Sequence, residues 1–254
     1  QVPRSVIDQM TVSLTRRHRD KIGSDTKLAA RETLRRLLVG GDSSVVILGS
    51  NATSLLQKLA HHYSKLLTPA DEVLLSTENH LANFDPWIQA AKAAGARIKL
   101  WTPYAQPQTS YDDYLDCEVS SDLNHLVTPH TRIVAIPHAS NVLGLVRPIA
   151  DLAKTIKDRS KGYAHVVVDG VAVAPHEFVG FDENFGGNVD WYVVSMHKLF
   201  GPHIGALMAR QNQCLDELLE KTPFQTKPKE QRIQALLESG TANIEGCAGV
   251  VGLG

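Results

Sequence analysis

Seven short apolar runs decide what this chain can fold into: residues 45–49, 72–77, 97–101, 132–137, 165–168, 191–195 and 206–209. Each is rich in Val, Ile and Leu with little polar alternation, the pattern of a strand covered on both faces. Stretches of helical period separate most of them, at 27–38, 53–67, 84–94, 149–158 and 215–221. Strands alternating with helices predict an α/β fold: three layers, αβα, around a mainly parallel seven-stranded sheet. The 254 residues are enough for one large domain or two modest ones.

Composition excludes several classes. Acidic residues number 27 and basic residues 26, so there is no broad positive field for nucleic acid. No apolar run approaches the ~20 residues that span a bilayer. The opening Gln1-Val2-Pro3-Arg4-Ser5 lacks the apolar core of a secretory signal. Cys117, Cys214 and Cys247 form no C-x-x-C pair, which predicts a reducing, cytoplasmic setting. The cluster Arg16, Arg17, His18 and Arg19 reads as a solvated helix face, and 222–229, with two prolines and two lysines, as an exposed connection.

Ligands of open α/β sheets bind beyond the carboxyl ends of the strands, so the residues that follow each run carry the functional signal. Gly49-Ser50-Asn51-Ala52-Thr53-Ser54 leads from a strand into a helix. Small residues there let the backbone approach an anion, and the helix N-terminus offers free N–H groups. The spacing is neither a Walker A loop nor G-x-G-x-x-G, and Ser or Thr at such a place also caps helices for structural reasons. His80 follows the second run and Asn141 the fourth; the one suits ring stacking and proton exchange, the other donates and accepts. The plainer readings are a structural histidine and a turn asparagine. Asp169 abuts three valines, where a carboxylate wants a cation or several donors. Lys198 stands where a buried strand emerges, a place that favours loss of its proton or a covalent imine. An ion pair would account for Asp169 and Lys198 alone. A phosphate cradle, a stacking ring, an asparagine, a carboxylate and an amine at neighbouring strand ends together fit one ligand, pyridoxal phosphate. A metal-dependent hydrolase is disfavoured, because His61, His62, His138, His176 and His203 show no ligand spacing such as H-E-x-x-H.

These segments resemble the cysteine desulfurase-like branch of the class V aminotransferases, pyridoxal-phosphate enzymes of fold type I, and within it a poorly characterised sub-branch. The likeness runs through Gly49–Ser54, His80-Leu81-Ala82-Asn83 with Pro86-Trp87, Ser140-Asn141-Val142-Leu143-Gly144, Val168-Asp169-Gly170, Pro175-His176, Ser195-Met196-His197-Lys198-Leu199-Phe200-Gly201-Pro202 and Gly240-Thr241-Ala242-Asn243. The resemblance implies that Lys198 holds the cofactor as a Schiff base and moves protons, that Asp169 binds the ring nitrogen, and that His80 stacks on the ring and assists proton transfer. It also implies that Ala52 (through its backbone), Thr53, Ser195 and His197 hold the phosphate and that Asn141 contacts the ring hydroxyl or substrate. Thr241 matches a threonine that reaches the partner's phosphate, which implies a homodimer. The implied reaction is C–S bond cleavage on a small amino acid, with epimerase, β-elimination lyase, transaminase and a catalytically silent cofactor-binding protein as alternatives. A sulfur acceptor protein is not identified by any residue.

Two departures stand out. Ala172 occupies the place where the family carries a glutamine bonded to the ring hydroxyl. The chain also ends at Gly254, before the segment that in the family carries a substrate-binding arginine and the persulfide cysteine. Residues 1–254 are accordingly expected to be the cofactor-binding large domain, with those near 1–25 belonging to the start of a small domain. The three cysteines are expected to be small, mostly buried residues.

Overall fold

The computed structural model describes residues 1–15, 20–41, 44–103, 117–220, 226–238 and 240–254. The basic cluster at 16–19 and residues 222–225 of the expected connection lie outside them. Among the described residues the strands are β1 (Ser44–Gly49), β2 (Glu72–Ser76), β3 (Arg97–Trp101), β4 (Glu118–Ser120), β5 (Thr131–Pro137), β6 (His165–Asp169), β7 (Trp191–Ser195) and β8 (Gly205–Arg210). They form one sheet in the order β1-β8-β7-β6-β5-β2-β3-β4. β2 is parallel to β3 and β5, β3 to β4, and β5 to β6, whereas β1 and β8 are antiparallel. The expected class is therefore correct and the strand count is not: eight replace seven. The extra strand, β4, is the three residues Glu-Val-Ser on the sheet edge, mostly exposed, so it carries no apolar run to read.

The helices are α1 (Arg4–Thr15), α2 (Asp20–Leu34), α3 (Ala52–Tyr63), α4 (Asp85–Ala94), α5 (Leu123–Leu126), α6 (Ile149–Arg159), α7 (Phe181–Asn184), α8 (Gln213–Glu220), α9 (Lys229–Leu237) and α10 (Ile244–Val251). α4 shows how local chemistry sets their bounds. Pro86 opens it, where a missing N–H is harmless, and Gly95 closes it at φ 69°, donating to Ala91 O and Lys92 O.

The chain divides into two compact units. The first comprises Gln1–Leu55, Val173–Asn184 and Val193–Gly254; the second comprises Leu56–Ala172 and Phe185–Tyr192. In the first, α1 and α2 pack on α10, and β1 pairs with β8 from Ser44↔Arg210 to Gly49↔Gly205. A buried arginine ties these layers together. Arg31 grips both Glu238 oxygens at 2.7 Å and donates to Val46 O at 3.2 Å, while Leu48 N donates to Glu238 Oε1 at 2.8 Å.

The second unit holds β6-β5-β2-β3-β4, whose apolar faces bury Trp87, Tyr63 and the Val and Leu side chains of the strands. A polar chain crosses this core. Trp191 Nε1 donates to Tyr63 Oη at 2.9 Å, Tyr63 Oη meets His165 Nδ1 at 2.5 Å, and His165 Nε2 meets Arg132 Nη1 at 3.0 Å. A guanidinium can only donate, so Nε2 is bare and the His165 proton sits on Nδ1. Burial first, then the charges of Arg132 and Lys157, hold the His165 pKa well below that of an ordinary imidazole. His165 is therefore fully stabilising above the ordinary imidazole pKa, and that contribution is lost as pH falls. Below about pH 6.5 the unfolded chain binds a proton that the folded chain refuses, so stability drops by about 1.4 kcal/mol per pH unit from this group. Urea melts between about pH 7 and pH 5 should show a smaller decline for His165→Gln than for the parent. Identical declines would refute the assignment.

Candidate active site

In the first unit, β1 delivers the chain to the start of α3. Asn51 caps that helix: its Oδ1 accepts from Ser54 N at 2.7 Å, and its carbonyl accepts from Leu55 N at 3.3 Å. The Ala52 and Thr53 N–H groups are then the free donors of the first turn, at the positive end of the helix dipole. The cap is Asn51 and not Thr53, which leaves the exposed Thr53 hydroxyl to face outward from the turn. Gly205, first residue of β8, makes this turn fit. A Cβ on it would lie 2.3 Å from the Asn51 carbonyl carbon and 2.6 Å from Ala52 N.

The lysine turn is held by the residue just before β8. β7 ends at Ser195, and Met196–Leu199 form a single 3₁₀ turn whose first N–H donates to Ile204 O at 2.8 Å. Gly201 N closes it on Met196 O at 2.8 Å and leaves Phe200 in the left-handed region at φ 61°. A bulky residue there costs roughly 1–2 kcal/mol, strain of the sort found beside functional groups. Ser195 Oγ bonds His197 Nδ1 at 2.8 Å, and the His197 ring stacks on His203 with centroids 5.4 Å apart. Desolvation, then His203 and Lys198, lower the His197 pKa. Lys198, just past the buried strand, is exposed; the 3₁₀ turn carries it off the end of the sheet layer. Thr241 is also exposed, two residues before the Asn243 cap of α10.

The second unit places three more of the expected residues. Asp169 ends β6, opposite Pro137 in register, and is nearly fully buried. Its Oδ1 accepts from Val171 N at 3.0 Å. Burial raises its pKa, against the lowering effects of the Val171 bond and of the charge on His80. The structure thus brings Asp169 and His80 into electrostatic reach. His80 follows β2 and caps the short turn Leu81–Asn83, its Nδ1 accepting from Ala82 N at 3.1 Å. An accepting Nδ1 puts the proton of the neutral ring on Nε2. The His80 loop is pinned by Asn79 Nδ2 on Ala135 O at 2.8 Å, Asn83 on Asn79 at 3.0 Å and Trp87 Nε1 on Asn83 at 3.1 Å. Asn141 lies exposed at the tip of a hairpin that follows β5.

Some supporting residues escaped the sequence reading. Tyr192 packs over Gly170, where a Cβ would fall 2.0 Å from its ring, and its Oη meets His138 Nδ1 at 2.7 Å. The glycine directly after Asp169 was the available clue. Nothing in the sequence pointed to the stack of His203 on His197.

The model of one family, aminotransferase class V, matches residues 2–254. The chain belongs to that family. Among curated relatives, the cysteine desulfurase-like protein ustD of Aspergillus flavus is 34% identical over 164 residues, covering 65% of this chain and 36% of that protein. The cysteine desulfurase of Synechococcus elongatus is 29% identical over 254 residues, 91% of this chain and 36% of that protein. Cysteine desulfurase CsdA of Escherichia coli is 31% identical over 239 residues, 89% and 54% respectively. The crystal structure of CsdA superposes with a TM-score of 0.73 at 26% identity, covering 99% of this chain and 64% of that one. The chain therefore spans about a third to a half of these curated relatives. The likeness places it in the cysteine desulfurase-like branch and in fold type I.

Class V aminotransferases depend on pyridoxal phosphate, and the residues present fit that group. Asp169 is a carboxylate whose pKa is raised by burial, so its ionised form would gain from a cation such as a protonated ring nitrogen. The Asn51–Thr53 turn, kept open by Gly205, suits its phosphate. Cys214 and Cys247 are buried, as expected of packing residues, whereas Cys117 is only half-buried. Cys247 is buried in α10, and burial pushes its thiol up to about 11. An alkylating reagent at about pH 8 should leave Cys247 of the native chain unmodified and label it after urea unfolding; rapid native labelling would contradict its burial.

Proposed function

We propose that this chain carries the cofactor machinery of a pyridoxal-phosphate enzyme that acts on a small amino acid by cysteine desulfurase-like C–S cleavage. The observation that carries the reading is Asp169, a buried carboxylate that ends a strand with no cationic side chain bonded to it among the described residues. By likeness to the family, Ala52 N, Thr53, Ser195 and His197 would bind the phosphate, and Lys198 would attach the aldehyde as a Schiff base. Asp169 would hold the ring nitrogen, His80 would lie on the ring face, and Asn141 would meet its hydroxyl. When bound, the group supplies an electron sink for charge that develops at the substrate Cα.

The chain's own chemistry follows from these placements. Asp169 would pair with the ring nitrogen and favour its protonated form. Lys198, exposed on its turn, would serve as the base for the substrate Cα proton. His80, with Nδ1 engaged by Ala82 N, offers Nε2–H as a donor. Ala172 brings no side-chain donor to the ring hydroxyl, so Asn141 would serve that oxygen alone. The likeness to CsdA supports desulfuration over epimerisation, elimination or transamination. A homodimer in which Thr241 reaches the partner's phosphate, and a cytoplasmic setting, belong to the same reading. Among the described residues no helix is long and apolar enough to cross a membrane.

Borohydride reduction after incubation with pyridoxal phosphate, followed by peptide mass mapping, tests the reading. A pyridoxyl adduct on Lys198 is expected, and an adduct elsewhere or none overturns it. In a separate sample not treated with borohydride, cysteine supplied with a dithiol should change the visible spectrum and yield alanine and sulfide, the dithiol giving the two electrons that reduce the released sulfur.

A further inference from the structure

Glu78 and Arg147 form an ion pair whose side chains are only 7% and 13% exposed. Glu78 Oε2 accepts from both Nε, at 2.8 Å, and Nη2 of Arg147, while Oε1 is buried without a hydrogen-bond partner. The guanidinium also lies over the Trp101 ring, 5.6 Å from its centroid. The two residues are 69 positions apart, and each belongs to a segment with a place in the proposed site. Glu78 stands two residues before His80. Arg147 closes the hairpin that bears Asn141: its N–H donates to His138 O at 2.8 Å, Ser140 N donates to Leu145 O at 3.0 Å, and Ala139 bridges Val146.

Packing does not anchor that hairpin. Val142 is 84% exposed, and Leu143, Leu145 and Val146 are exposed as well. Stability is also a poor explanation for the pair, since buried ion pairs seldom outperform apolar replacements and this one strands a carboxylate oxygen. What a guanidinium fork provides, and an apolar contact does not, is fixed orientation. We propose that Glu78–Arg147 is a clamp that locks the His80 loop and the Asn141 hairpin in one relative geometry, making both positioning residues for pyridoxal phosphate. This rests on the proposed function.

The test compares the parent with Glu78→Gln and with the double variant Glu78→Met/Arg147→Met, which removes both charges and keeps apolar bulk. Each is titrated with pyridoxal phosphate, followed by visible absorbance, by the pH midpoint of that absorbance and by thermal melting. The expected result is a roughly tenfold weaker dissociation constant and a displaced pH midpoint in both variants, with melting of the double variant close to the parent. A folded variant with parental affinity and pH midpoint overturns the clamp. If neither variant folds, the pair holds the fold and not the site, and the clamp is equally overturned. A parent that binds no pyridoxal phosphate refutes the proposed function instead, so the two failures are distinct.

Discussion

Lys198→Ala is expected to abolish the borohydride-trapped adduct and to reduce turnover by at least roughly 10²–10⁴-fold, the share of a positioned proton carrier alone. The size of this effect is interpretable because the fold does not depend on the residue. Lys198 is exposed on a 3₁₀ turn that is held by backbone bonds of Met196 and Gly201. Truncating such a side chain shifts stability by no more than about 0.5 kcal/mol. Melting curves of the cofactor-free variant and parent should therefore overlay while the activities diverge. A variant that still traps pyridoxal phosphate at another lysine, with turnover intact, would show that the wrong amine had been assigned.

Asp169→Asn should produce two effects of opposite sign. Turnover should fall roughly 10²–10³-fold, because a neutral amide does not keep the ring nitrogen protonated and the stabilisation of charge developing at Cα is lost. The cofactor-free chain, in contrast, should become more stable near neutral pH. Burial raises the Asp169 pKa in the folded state, so its stabilising contribution is complete below the ordinary carboxylate range and is lost as pH rises through the folded value. Asparagine has no charge to desolvate and can retain the bond from Val171 N. A gain of about 1 kcal/mol, or ~3 °C in Tm, is the expected order. Loss of stability together with loss of rate would mean that the carboxylate serves the fold, and the functional reading would lose its main support. The opposed signs are what a site residue held against the interests of the apo fold should give.

Much of this arrangement is legible before any coordinates. Runs such as Val166-Val167-Val168 have no other stable place than the middle of a covered sheet, and the chemistry-bearing residues His80, Asn141, Asp169 and Lys198 each follow such a run. Other elements are silent for physical reasons. β4 is short and mostly exposed, so tertiary pairing alone defines it. α10 contains Gly246 and Gly249, poor helix formers that are tolerated because a Cβ on Gly249 would lie 2.8 Å from Met10 in α1. The exposure of Lys198 is silent too: the turn that lifts it off the buried run depends on Ile204 and Gly201, which act through backbone atoms. The Glu78–Arg147 pair could not be read at all, since a contact across 69 residues leaves no period or motif in either segment.

The wall behind Asp169 has a bearing on how such a chain can be re-engineered. Tyr192 is held at one end by His138 and stacked on Phe185 with ring centroids 5.5 Å apart, and it fills the volume that any side chain at position 170 would need. The backbone directly after the carboxylate is thus backed by an aromatic plug. Libraries meant to redirect substrate choice have room at the solvent-facing Asn141–Val142 apex, whereas any side chain at 170 would have to displace Tyr192.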